Sequence, residues 1–190
     1  MVSKDKQKPV TDPDLFGAMK PGEKVFALLD AARKPEIAVK PYEFQAKWVS
    51  LYKGEPEEAL FDVAPYLVCL GDREEKNEGL IQWVLDELWG NSCGVFIYSS
   101  AGIDALHTHF QQFLIVTDEE GKGLYFRFYD PRVLKIFLPT CKREELRTFF
   151  GPVASFMMED GSPDKKSIFS LLEGELSTEK KDIPDMMSSI

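Results

Sequence analysis

Apolar residues along this chain fall into short runs separated by polar stretches that carry Gly and Pro. Lys24–Asp30 holds Val25, Phe26, Leu28 and Leu29 in a nearly unbroken run, the pattern of a central strand buried on both faces. Further strands are predicted at Trp48–Tyr52, Tyr66–Leu70, Cys93–Tyr98, Phe113–Thr117, 124–129 and Val153–Met158. Glu78–Trp89 is the clearest helix, because Ile81, Val84, Leu85 and Leu88 recur at helical spacing and Gly90 can end it. Other helical segments are expected at Pro35–Phe44 (interrupted near Pro41), Pro56–Phe61, Ile103–Phe110 and Lys142–Phe149. The polar turn Asp118–Gly123 should join two strands as a hairpin. Strands alternating with helices and then a hairpin predict an α/β to α+β fold: a mixed sheet covered by helices, with parallel and antiparallel pairs.

The densest aromatic and charged run is 123–134. Leu124, Phe126 and Phe128 alternate with Tyr125, Arg127 and Tyr129, so a strand there would have one wholly apolar face. It stops at Asp130-Pro131, a favoured N-cap followed by a residue preorganised for the first helical position. Val133, Leu134 and Phe137 would be the buried stripe of that helix. Arg127 and Arg132 flank Asp130 closely enough for a charge-assisted cluster. Two readings are compatible here: a structural corner, and a partner-binding face made of arginines and tyrosines.

The chain divides by composition into three parts. Residues 1–23 are polar, contain Pro9, Pro13 and Pro21, and read as a mobile arm. Residues 24–158 form one domain. Residues 159–190 hold eight acidic and four basic residues and read as an acidic tail. Within the tail, Ile168, Leu171 and Leu172 make a helix-like stripe capped by Ser167, so a short helix is expected near 167–173, docked on the domain or on a partner.

Charge narrows the partners. The net charge of −9 argues against a general binder of nucleic acid or of anionic membranes. It is uneven: residues 53–90 hold ten acidic and three basic residues, and residues 122–147 hold seven basic and three acidic. Opposed regions of this kind favour oriented docking on a protein. The first residues lack an apolar signal segment, no apolar run approaches the roughly 20 residues that span a bilayer, and Cys69, Cys93 and Cys141 suit a reducing compartment. A reducing cytoplasm is the expected location.

Catalytic and cofactor chemistry is hard to assemble from these residues. Gly121-Lys122-Gly123 is too short for a phosphate loop. His107 and His109 on one helix would point about 200° apart, so they make a poor metal pair. Cys93 with His107 or His109 as base is the alternative enzymatic reading, a cysteine hydrolase, but an apolar strand is the usual place for an inert thiol. No catalytic residue, cofactor or metal is assigned.

Phe126-Arg127-Phe128-Tyr129-Asp130-Pro131-Arg132-Val133-Leu134 resembles the signature of the bacterial type VI secretion effector chaperones, also called effector adaptors. Phe26–Arg33, Leu51–Gly54, Ala64–Val68, Trp89-Gly90 and Phe149–Val153 stand in that family's order, and the resemblance covers roughly residues 25–158. It implies a non-enzymatic protein that binds a toxic effector in the cytoplasm and assists its loading onto the secretion spike, the valine-glycine repeat protein. Tyr125, Arg127, Tyr129, Arg132 and Phe150 are the candidate partner-binding residues. Asp130, Pro131, Gly151 and Pro152 are the candidate structural corner. An immunity protein that neutralises a toxin is the third reading; its acidity fits, the signature does not.

Overall fold

β1 (Lys24–Asp30) is an inner strand, third from one edge of a seven-stranded sheet, and is buried on both faces, as its apolar run requires. The computed structural model describes residues 13–52, 60–117 and 120–184. After β1 come a 3-10 turn (Pro35–Ala38), the single turn α1 (Lys40–Glu43) and β2 (Trp48–Ser50). A 3-10 turn (Phe61–Val63), β3 (Pro65–Gly71), α2 (Glu78–Glu87), β4 (Gly94–Ser99) and α3 (Ile103–Gln111) follow. Then come β5 (Ile115–Thr117), β6 (Gly123–Tyr125), α4 (Pro131–Phe137), a 3-10 turn (Leu138–Thr140) and α5 (Arg143–Phe150). β7 (Ser155–Glu159), β8 (Lys165–Leu172) and β9 (Glu175–Asp182) close the described chain. The helical turn expected at Pro56–Phe61 lies largely outside the described residues.

The sheet order is β2-β3-β1-β4-β7-β8-β9, and each described strand pair is antiparallel. The fold is α+β as expected, but the expected parallel pairs are absent among the described residues. The reason lies in β1. β3, α2 and β4 form a strand-helix-strand unit whose two strands run the same way, yet β1 sits between them and pairs with both. The connection pattern of a parallel unit therefore yields two antiparallel ladders.

The two faces of the sheet carry separate cores. On one face Val25, Ala27 and Leu29 meet Val84 of α2 and Leu88 just past its end, together with Tyr98 and Met157. Asn77 caps α2 by accepting from Leu80 N at 3.2 Å, and its amide donates to Phe44 O at 2.8 Å. On the other face Phe26, Leu28, Val95 and Ile97 meet Leu106 and Phe110 of α3, Leu134 of α4, and Leu146 and Phe149 of α5.

Two expectations about the ends are corrected. Residues 13–23 are not a free arm: Leu15 and Met19 are buried in the α2-side core. The Tyr98 hydroxyl donates to Leu15 O at 2.8 Å, Arg73 Nη2 donates to Met19 O at 2.9 Å, and Lys166 Nζ donates to Pro13 O. Residues 1–12 lie outside the described residues. The second correction concerns the tail. The short helix expected near 167–173 is instead β8, paired with β7 and with β9. Ile168 enters one core and Phe169 the other, so both faces are buried and the run loses the alternation of a half-buried strand. Glu173-Gly174, with φ of 53° and 84°, makes the two-residue turn of a hairpin into β9. The sheet therefore extends past residue 158 to residue 182.

Both sheet edges are protected. β9 carries Glu175, Glu179, Lys180, Lys181 and Asp182, which discourage pairing with another strand. β2 is only three residues long, and α3 reaches over its end: His107 Nε2 bonds Ser50 O at 3.0 Å and Gln111 Nε2 donates to Leu51 O at 3.1 Å.

Candidate partner-binding face

The corner that closes the sequence signature is built by a cap and two ion pairs. Asp130 has extended backbone at the N-cap of α4, and Pro131 takes the first helical turn. Asp130 Oδ1 accepts from Arg132 N and from Arg132 Nε, each at 2.9 Å, and Oδ2 accepts from Arg132 Nη2 at 2.5 Å. Burial works against the Asp130 charge, but the bonds from the Arg132 side chain and backbone outweigh it, so the carboxyl titrates below its ordinary value. Arg127 does not share this carboxylate as the sequence suggested. It pairs with Asp30 Oδ2 at the end of β1, a partner 97 residues earlier. Its hydrogen bond to Asp30 raises the Arg127 pKa.

The alternation of residues 124–129 also ends early. β6 covers only Gly123–Tyr125, and the chain then turns into the domain. Tyr129 is 2 % exposed and Phe150 is 2 % exposed, so neither offers a surface to a partner in this conformation. Tyr129 bonds the Tyr52 hydroxyl; burial first, and that bond second, push its phenol far above its usual range. Phe150 packs on Phe156 with ring centroids 5.1 Å apart. Tyr125, Arg127 and Arg132 remain at the surface. Tyr125 lies 5.6 Å from the Tyr52 ring, which links the exposed aromatic to the buried pair.

Sequence reading missed the more apolar part of this face. β5 and β6 form a separate two-stranded hairpin, and Ile115, Val116, Leu124 and Tyr125 are all exposed on it. Such a hairpin is marginal without a third strand or a covering surface. Next to it, Phe113, Phe137 and Phe149 line an open groove of about 500 Å³. Phe113 and Phe137 stand 5.1 and 5.3 Å from the Phe149 ring. The signal for this groove was the Phe content of 113–150, whose rings face one another only after the hairpin folds back.

The residues of the enzymatic reading are not brought together. Cys93 packs in the α2-side core, where burial pushes its thiol up. His109 lies on the opposite side of the sheet, with its ring 5.1 Å from Phe113 and Nε2 bonded to Phe149 O at 2.8 Å. His107 is held by the Ser50 carbonyl on β2. No group of three His, Cys, Asp or Glu side chains suited to a metal occurs among the described residues. No helix among them is long and apolar enough to cross a membrane.

His109 supplies a pH test of this packing. Burial lowers its pKa, more than the Phe149 carbonyl raises it. The unfolded imidazole takes a proton near pH ~6.5, whereas the folded one resists it. The unfolded state then binds more protons, so stability falls as pH drops below about 6.5. Melting temperatures at about pH 7 and about pH 5.5 should differ less in His109→Gln than in the parent. Equal differences in the two proteins would show that His109 does not couple to folding.

No curated protein and no solved structure matches this chain. A family model described as a domain of unknown function, DUF4123, matches residues 25–148, from the second residue of β1 into α5. The matched span holds β1 from its second residue through the Asp130 corner and most of α5, and Phe149, Phe150, β7, β8 and β9 lie beyond it. This chain belongs to the DUF4123 family, a family associated with type VI secretion effector adaptors.

Proposed function

We propose that the protein is an effector adaptor of the type VI secretion system. It binds one toxic effector in the cytoplasm of the producing bacterium and assists its loading onto the valine-glycine repeat spike. The family match over residues 25–148 carries this reading. The exposed apolar hairpin, which includes Tyr125 and has Arg127 and Arg132 close to it in sequence, supports it, because a client-holding protein needs an apolar, aromatic patch rimmed by charge. The action is non-covalent: the adaptor covers an apolar region of the effector and is released at the spike.

The test uses, as candidate effector, a large toxin whose gene neighbours the one for this chain. Co-expression, pull-down and a secretion assay are run with the parent and with a Cys93→Ala/His107→Gln variant. A stoichiometric complex, effector secretion that depends on this chain, and full rescue by the variant are expected. A variant that stays folded and holds the effector but no longer rescues would mean that chemistry is required, and the adaptor reading would fall.

A further inference from the structure

The groove between the Leu138–Thr140 turn and α5 presents side chains rather than an open strand. Its walls are helical, and their main-chain groups are bonded within the turn and the helix. The polar side chains of its lining are largely committed. The Thr148 hydroxyl donates to Glu144 O at 2.9 Å, and the Thr140 hydroxyl donates to Phe137 O at 2.7 Å. Glu145 Oε2 accepts from Lys142 N at 2.6 Å as part of the α5 cap. What the groove offers outward is therefore the half-buried rings of Phe113 and Phe137, over a buried Phe149, with two carboxylates and no cation in its lining. Glu144 is the more available carboxylate: its side chain is 82 % exposed and meets Arg147 only at 3.3 Å.

These features select among the modes by which a protein captures a segment. Adding a strand needs a free sheet edge; the helical walls provide none, and the β5–β6 hairpin, which has one, is not part of the groove lining. A helix laid in the groove needs apolar anchors one turn apart and, here, a cation for the rim. Glu144 to Phe149 spans about 7.5 Å along the α5 axis, enough for anchors on about one and a half turns of a partner helix. The hairpin residues Ile115 and Val116 follow Phe113 after the buried Leu114 and extend the apolar surface.

We infer that this groove is the seat of an amphipathic helix of the effector, with apolar side chains on the rings of Phe113 and Phe137 and a Lys or Arg beside Glu144. The inference rests on the adaptor reading and names the segment that it would hold. Thr148 is exposed on α5, so Thr148→Trp fills the groove without cutting into the core. Glu144→Lys reverses the rim charge.

Affinity for the purified effector is measured by calorimetry, beside the melting temperature of each free variant. Thr148→Trp should weaken binding about ten-fold or more, and Glu144→Lys about three- to ten-fold, with melting near the parent's; these are the losses expected when an anchor pocket or a rim charge is removed. Independently of any substitution, alkylation of Cys141, which lines the groove, should slow in the complex. Parental affinity in both variants together with unchanged Cys141 alkylation overturns the groove while leaving the adaptor reading intact. A parent that does not bind the effector overturns both. Light scattering of the free protein covers the remaining occupant: a dimer that Thr148→Trp dissociates would assign the groove to a second copy and overturn the inference.

Discussion

Arg127→Ala should destabilise the protein more than Asp30→Ala, although the two residues form one ion pair. The Asp30 side chain is 0 % exposed, whereas the Arg127 side chain is 43 % exposed. Removing the guanidinium leaves a carboxylate in the interior with no ionic partner, and breaking a buried pair in this way costs about 3–5 kcal/mol. Removing the carboxylate has a milder result. The freed guanidinium is already half in water and can turn outward. The main loss is then the hydrogen bond from Ala32 N to Asp30 Oδ1, 3.1 Å long, worth about 1–2 kcal/mol. Arg127→Lys should fall between the two, since an ammonium supplies charge without the planar fork. Urea denaturation of the three variants checks the order. Equal losses in Arg127→Ala and Asp30→Ala would mean that water already reaches Asp30.

This order bears on how the partner-binding face is dissected. A lost interaction in Arg127→Ala is ambiguous, because the same substitution undermines the junction between β1 and the residues that lead into α4. Arg132 is a cleaner probe only in part, since it also holds the cap of α4. Ile115, Tyr125, Glu144 and Thr148 are exposed and hold no such junction, so substitutions there report on binding more directly.

The legible parts of the fold were those where one local rule sufficed. The apolar run of β1, the helical spacing of α2 and the Asp130-Pro131 start of α4 are each complete within a dozen residues. The missed parts depend on distant partners. Ser167–Leu172 contains Ile168, Leu171 and Leu172 at helical spacing, yet β7 on one side and β9 on the other make it a strand. Glu173-Gly174 was the local clue, a two-residue turn between segments that both tolerate extended backbone. Residues 13–23 offer few apolar anchors, and their carbonyls are held by Tyr98, Arg73 and Lys166 from far along the chain. No pattern within 13–23 encodes those bonds.

The candidate site divided in the same way. The Asp130 cap was readable because its acceptor and donor lie two residues apart. The Arg127 partner was not, because Asp30 is 97 residues away and Asp130 is the nearer carboxylate in sequence. Tyr129 and Phe150 were candidate contacts because tyrosine is enriched at binding hot spots and because both stand in stretches that carry the family resemblance. Here the chain turns inward after Tyr125, and the aromatic cluster of the α3–α5 side takes both.

Gly151→Ala should cost about 3 kcal/mol or more, from two sources that can be separated. Gly151 ends α5 with φ 47° and ψ −113°, a conformation that side-chain-bearing residues rarely adopt. Holding alanine there costs about 1–3 kcal/mol in backbone strain alone. Space is the second source. A Cβ at this position would lie 2.8 Å from His109 Nδ1 and 3.0 Å from His109 Nε2, inside the imidazole's contact surface. The ring cannot simply swing away, because Nε2 is bonded to Phe149 O at 2.8 Å and the ring stands 5.2 Å from Phe110. His109→Ala is itself destabilising, since it leaves the Phe149 carbonyl and a gap behind. In that background, however, the overlap is gone and Gly151→Ala should cost only the strain. A double-mutant cycle by denaturant unfolding should therefore show a coupling of about 1–2 kcal/mol between the two positions. Additive losses would place the whole cost of Gly151→Ala in the backbone, with the imidazole free to move aside.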